Sequence, residues 1–296
     1  MLKTEPRCEM PINESQLQSW ANQGAVTLAK QTHESIRYAL NTGDWPQGVS
    51  YDIYLQGSYK NDTNIRGDSD VDVVVELTSA FSSNLTEEEK RSLSLTPATY
   101  GWSEFMRDAL NRLKDYYGDG QITQGNKCIN LAPTKGRLPA DIIICSTYKW
   151  YSNLAIVAEG ITFWTHGNNR QIISCPKIHT DKCVARNGET NGSFKPSVRM
   201  FKNARSYLVD QGVIDDKVAP SYFLECFIHN VASSNFGSDF QNTYCNIVNW
   251  LLEADFGMFT FPSLSAPLLF GTGDGQWSVD KAKRLLNQLV KLWNNS

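Results

Sequence analysis

The sequence predicts an α+β protein, with a mixed sheet and flanking helices in the first half and a mainly helical second half. Three observations predict it. The run Ser69–Leu77 (SDVDVVVEL) and the run Asp141–Ile144 are β-branched and apolar, the composition of buried strands. Stretches with apolar residues at helical spacing precede and separate them. From Pro196 onward the apolar period is mostly helical. The chain has 296 residues, which suggests one large or two modest domains. The change of character lies within residues 175–195. It sets a core at residues 1–185, including an N-terminal helix, and a helical domain at residues 186–296.

Each element has its own signal. Leu17, Ala21, Gly24 and Leu28 share one helical face, so a single helix is expected over Glu14–Leu40. Asn41–Pro46 breaks it. Tyr51, Ile53 and Leu55 alternate along a strand that Gly57-Ser58 ends. Thr86-Glu87-Glu88-Glu89 reads as a helix start. Phe105, Ala109 and Leu113 mark a helix over Pro97–Tyr117. Lys127–Leu131 and Ala140–Cys145 read as strands joined by the turn Thr134–Arg137. Ile161–Thr165 and Gln171–Ser174 form a short pair around Gly167. Asn187-Gly188 and Asn191-Gly192 read as turns. Pro196 suits a first helical turn. Ser278 reads as the N-cap of a last helix with the stripe Ala282, Leu285, Leu286, Leu289 and Leu292.

Composition excludes several classes. Hydrophobic residues make up 41%, which is enough for a full core and rules out wholesale disorder. No apolar run reaches the roughly 18 residues of a membrane span, and the first residues lack the apolar stretch of a signal peptide. Seven cysteines without regular spacing read as reduced thiols, so a cytoplasmic protein with no membrane partner is expected. Net charge is −3 and the pI is near 5.9, which argues against a constitutive nucleic-acid coat.

The segment Gln56–Glu76 (QGSYKNDTNIRGDSDVDVVVE) carries the chemistry. A strand ends in Gly57-Ser58, a polar loop follows, and the next strand opens with Asp70-Val71-Asp72. Residues two apart on a strand share a face, so both carboxylates point one way while Val71, Val73 and Val75 point into the core. Neighbouring carboxylates repel unless cations sit between them. Hard cations such as Mg²⁺ take oxygen ligands and keep positions for substrate phosphates. Gly57 lets the backbone approach a phosphate, and Ser58 offers a hydroxyl and an N–H. A D-x-D alone is more often a solvated strand end; the preceding Gly-Ser changes that. Asp141 opens another strand. If that strand lies beside the first, Asp70, Asp72 and Asp141 converge on a two-metal site.

This pattern resembles the nucleotidyltransferase superfamily of DNA polymerase β, and within it the cGAS/DncV-like enzymes. The loop Thr63–Asp72 looks like the bacterial form. The resemblance continues through Cys175–His179, Ser193–Arg199 and Pro220–Glu225, and so covers most of residues 50–230. It implies a polymerase β-like core and a helical C-terminal domain. It implies a template-independent synthase that joins nucleoside triphosphates into a cyclic di- or trinucleotide, releases pyrophosphate and acts in anti-phage defence. Two Mg²⁺ ions are implied, with Mn²⁺ as an alternative.

Lys202 matches the family's triphosphate-binding lysine, Ser221 a serine at the triphosphate, and Tyr222 an aromatic that stacks on a base. A buried structural tyrosine is the competing reading of Tyr222. Arg199, Lys202 and Arg205 are three apart and form one basic arc, either a phosphate-facing groove or a solvated helix face. Cys175, His179 and Cys183 could supply three zinc ligands, but no fourth stands at a helpful spacing. The alternatives are RNA tailing, nucleotidylation of a protein or small molecule, or a non-catalytic nucleotide sensor. No obligatory nucleic-acid partner is expected, and a regulatory protein partner is left open.

Overall fold

The computed structural model describes residues 12–65, 69–264, 266–273 and 275–295. In chain order the elements begin with helices α1 (Glu14–Ala21) and α2 (Thr27–Asn41), strand β1 (Tyr51–Leu55), the short helix α3 (Gly57–Lys60) and strand β2 (Val71–Ser83). Helices α4 (Glu87–Ser92) and α5 (Trp102–Tyr117) follow. Then come strands β3 (Ile122–Gln124), β4 (Ile129–Leu131), β5 (Ala140–Ser152), β6 (Ala155–Trp164) and β7 (Gln171–Ser174). The rest is helical: α6 (Pro176–Glu189), α7 (Phe194–Asp210), α8 (Ser221–His229), α9 (Phe240–Glu253) and α10 (Val279–Asn294).

The described chain forms two compact units. One comprises residues 25–60 and 69–180, the other residues 12–24, 61–65 and 181–295. The boundary between these units near residue 181 lies close to the expected cut at residue 185. The division moves the N-terminal helix out of the core: α1 and α2 belong to different units. Helix α1 ends because Asn22 is extended, and the Gly24 N–H then donates to the Asn64 carbonyl. The period of Leu17, Ala21 and Gly24 runs through this break, which is why the sequence reads as one helix.

The first unit is built on a seven-stranded mixed sheet. Its path is β1-β2-β5-β4-β3, with β6 on β5 and β7 on β6. Strand β2 pairs antiparallel with β1 and parallel with β5. One face carries Val71, Val73, Val75, Ile142 and Ile144, which pack with Ile36 and Leu40 of α2 and Phe105, Ala109 and Leu113 of α5. Each such side chain, fully buried, contributes about 1.5–3 kcal/mol. Strand β5 runs on past Cys145 and turns at Asn153 and Leu154, both at positive φ, into β6. The sequence reading missed that hairpin, and it missed β3. Helix α4 starts on a reciprocal cap between Thr86 and Glu89, as its sequence predicts.

The second unit is helical. Val198, Phe201, Ala204 and Leu208 of α7 are buried, as expected. Tyr244 of α9 stacks between Phe201 (5.1 Å) and Trp293 (5.2 Å), and its hydroxyl donates to the Leu289 carbonyl. On α10 the stripe holds except at its end, where Trp293 is buried and Leu292 only half-buried. Asn187-Gly188 is not a turn between elements. It lies in the last turns of α6, where the Asn187 side chain accepts the Lys195 N–H of α7. Asn191 and Gly192 do form the turn, both at positive φ. No described helix is long and apolar enough to cross a membrane.

Candidate active site

Strand register places two of the candidate metal carboxylates. Asp72 of β2 and Asp141 of β5 are direct parallel partners, about 4.8 Å apart along the hydrogen-bonding direction. Val71 and Ala140 pair beside them, so the apolar residues that anchor both strands also fix where the carboxylates stand. Asp70 precedes β2 and is exposed. Its carboxyl is held above the ordinary aspartate value, first by desolvation and then by the Asp141 charge. Oxygen donors grouped in this way are the kind that hard divalent cations favour. The structure thus brings Asp70, Asp72 and Asp141 to the starts of two adjacent central strands, β2 and β5. Residues 66–68 of the preceding loop lie outside the described residues.

Gly57 has a tighter reason to be glycine than phosphate approach. Its φ is +64°, and a Cβ there would collide with the Asp72 Oδ2. The Gln56 N–H donates to the Asp72 carbonyl, closing the strand end against β2. Ser58 is half-buried in the short helix α3, not in a loop. Gly57→Ala is expected to cost about 1–2 kcal/mol of stability through the left-handed conformation. It should also lower turnover by about 10²-fold by displacing Asp72. Thermal melting and steady-state rates on the one variant check both effects.

Two neighbours of the carboxylates escaped the sequence reading. Asn130 of β4 is the antiparallel partner of Asp141, and its Nδ2 donates to Asp141 Oδ1 at 2.6 Å. The Cys128 thiol is pushed up to about 11 by burial and by the charges of Asp141 and Asp72, so it stays protonated. Neither could be found from spacing, since β4 has three residues and its register is set by the fold. A third missed group is Glu76. It is buried on β2 and accepts from Tyr54, Thr147 and Lys177. Burial and the Glu76 charge push the Tyr54 phenol well above its usual value.

The other predicted residues lie in the helical unit. The reading of Arg199, Lys202 and Arg205 as one basic arc does not hold. Arg199 donates to the Ala21 and Asp62 carbonyls. Lys202 is 2% exposed, and its ammonium meets Glu225 Oε2 (3.2 Å), Thr63 Oγ1 (3.1 Å) and the Thr63 carbonyl (3.2 Å). Glu225 also accepts from Asn61 Nδ2 and Thr63 Oγ1. Arg205 donates to the Ser221 hydroxyl at 2.8 Å, at the first turn of α8. Tyr222 is not a core residue: it is 52% exposed and stacks on Phe261 at 5.9 Å. The six described cysteines are free thiols, and Cys8 lies outside the described residues.

Residues 43–114 match the nucleotidyltransferase domain family, and residues 181–294 match the cGAS/DncV-like nucleotidyltransferase C-terminal helical domain. The chain is 46% identical to a cyclic UMP-AMP synthase of Rhodothermus marinus, over 96% of this chain and 98% of that protein. It is 34% identical to the cyclic nucleotide synthase CdnE01 of Staphylococcus haemolyticus, over 96% and 99%. Among solved structures, the Rhodothermus marinus CdnE c-UMP-AMP synthase with Apcpp and Upnpp superposes with a TM-score of 0.90, covering 96% of this chain and 97% of that one. A CdnE cyclic dinucleotide synthase from Elizabethkingia meningoseptica, solved with GTP and Apcpp, gives 0.75 at 28% identity, over 96% and 98%. With both domain matches and likeness across nearly the whole chain, the protein belongs to the cGAS/DncV-like nucleotidyltransferases.

Proposed function

We propose that the protein condenses two nucleoside triphosphates into a cyclic dinucleotide containing uridylate and adenylate. The observation that carries the chemistry is the register pairing of Asp72 with Asp141 behind Gly57. The 46% likeness to a cyclic UMP-AMP synthase supports the product. A ribose hydroxyl of one nucleotide attacks the α-phosphorus of the other. A new P–O bond forms, the α–β bridging P–O bond breaks, and pyrophosphate leaves with the electron pair. A second transfer of the same kind closes the ring.

Asp70, Asp72 and Asp141 would hold divalent ions, Mg²⁺ or Mn²⁺. When bound, such ions neutralise charge on the leaving pyrophosphate and acidify the attacking hydroxyl. Asp141 orients that hydroxyl and accepts its proton. Ser58 and Ser221 offer hydroxyls to phosphate, and Gly57 leaves room for close backbone approach. Tyr222 offers a half-exposed ring for a base. Positioning and charge neutralisation supply most of the rate. We place the product in signalling during phage infection, as the resemblance to the bacterial enzymes implies.

The test is purified protein with Mg²⁺ and each labelled triphosphate, alone and in pairs, without template. A phosphatase-resistant product formed from UTP with ATP, identified by mass spectrometry, supports the reading. Labelled protein or RNA in its place overturns it. Synthesis is also expected without DNA or RNA. Net charge is −3, and Arg199 and Lys202 are committed to internal partners. A duplex that gated activity would need several phosphate contacts and would bring a steep salt dependence. Nuclease-treated enzyme should therefore show the same rate with and without added duplex; strict duplex dependence, lost as salt rises, refutes this.

A further inference from the structure

Strand β4 places an amide against a catalytic carboxylate. Asn130 Nδ2 lies 2.6 Å from Asp141 Oδ1, a short contact for an N–H donor to a carboxylate. An ionised carboxylate only accepts, so the amide must present its NH₂ to Asp141 and its oxygen elsewhere. That oxygen points at Gly125, where a Cβ would sit 2.8 Å from it. Gly125 thus leaves space for one amide orientation. The turn that carries these residues is fixed twice over. The Gly125 N–H donates to the Cys128 carbonyl at 2.9 Å. Beyond it, Asn126 accepts the His166 N–H on its carbonyl (2.8 Å) and the Gly167 N–H on its Oδ1 (2.9 Å).

We propose that Asn130 is a positioning residue for Asp141, holding one carboxylate oxygen so that the group keeps a single rotamer for metal binding. This rests on the reading of Asp141 as a metal ligand. A hydrogen-bond partner of a ligating carboxylate typically matters 10–100-fold, roughly, in metal affinity or activity.

The experiment uses two variants, Asn130→Ala and Asn130→Leu. Leucine keeps the branched shape of asparagine, with somewhat more bulk, but cannot donate. In both, Mn²⁺ binding to the nucleotide-free protein, read from the free-Mn²⁺ paramagnetic resonance signal, should weaken about tenfold. kcat should fall by a similar factor, while KM for ATP at saturating metal changes less than about twofold. Unchanged Mn²⁺ affinity in either folded variant overturns the proposal. So does a loss in Asn130→Ala that Asn130→Leu restores, which would mark a packing role. Failure of the underlying site reading looks different: Asp141→Asn would itself bind Mn²⁺ and turn over like the wild type.

Discussion

Asp72→Asn and Asp141→Asn are each expected to abolish product formation, a fall on the order of 10³-fold or more, without unfolding the protein. An amide keeps the carboxylate's shape and loses the charge that binds a hard cation. The fold should not suffer, because its cost is carried by the other face of the sheet, where Val71, Val73, Val75 and Ile142 are fully buried. Removing one of two paired negative charges also relieves repulsion. The metal-free variants should therefore melt no lower than the wild type. Wild-type turnover in either variant would refute the assignment, and a large fall in melting temperature would reassign the residue to the fold. A pH effect follows from Asp70. Its carboxyl is raised by desolvation and by Asp141, so it takes up a proton at higher pH than an ordinary aspartate. Protons then compete with the ion, and the Mg²⁺ concentration for half-maximal rate should rise as pH falls toward about 5. A requirement independent of pH in that range would show that Asp70 does not ligate.

What the sequence discloses about this site follows from where each signal resides. Asp70 and Asp72 are legible because a period of two and a buried valine run fix which way they face. Asp141 is legible as a strand opening, but its neighbour is not. That Asp141 lies beside Asp72, with Asn130 on the other side, depends on a parallel and an antiparallel register between segments far apart in the chain. Helix periodicity misleads where a break preserves phase, as at Gly24, which hides the division between α1 and α2. Turn chemistry misleads where a side chain has a partner elsewhere. Asn187-Gly188 has the composition of a loop, yet it lies within the last turns of α6, where Asn187 accepts a bond from α7. The basic arc on α7 fails for the same reason. Spacing correctly puts Arg199, Lys202 and Arg205 on neighbouring turns, but Asp62, Thr63 and Glu225 decide what two of them touch.

Lys202→Ala is expected to destabilise the protein by about 3–5 kcal/mol, the cost of leaving a buried carboxylate without its cation. Both side chains of the Lys202–Glu225 pair are nearly inaccessible, at 3% and 4% exposure. Asn61 and Thr63 keep their bonds to Glu225, so its oxygens are not wholly abandoned, but the charge is. Glu225→Ala should cost a similar amount, for the mirror-image reason. Lys202→Met combined with Glu225→Gln should recover most of the loss, since it removes both charges and keeps much of the volume and one set of donors. Denaturant melts of the three variants measure this. The triphosphate role implied by the family resemblance makes a different prediction from the same lysine: ATP affinity falls, adenosine affinity does not, and stability is preserved. Calorimetry with both ligands on folded Lys202→Ala separates the two. A variant as stable as the wild type that loses only ATP binding would show that the ion pair opens to receive phosphate and would place Lys202 in the nucleotide site.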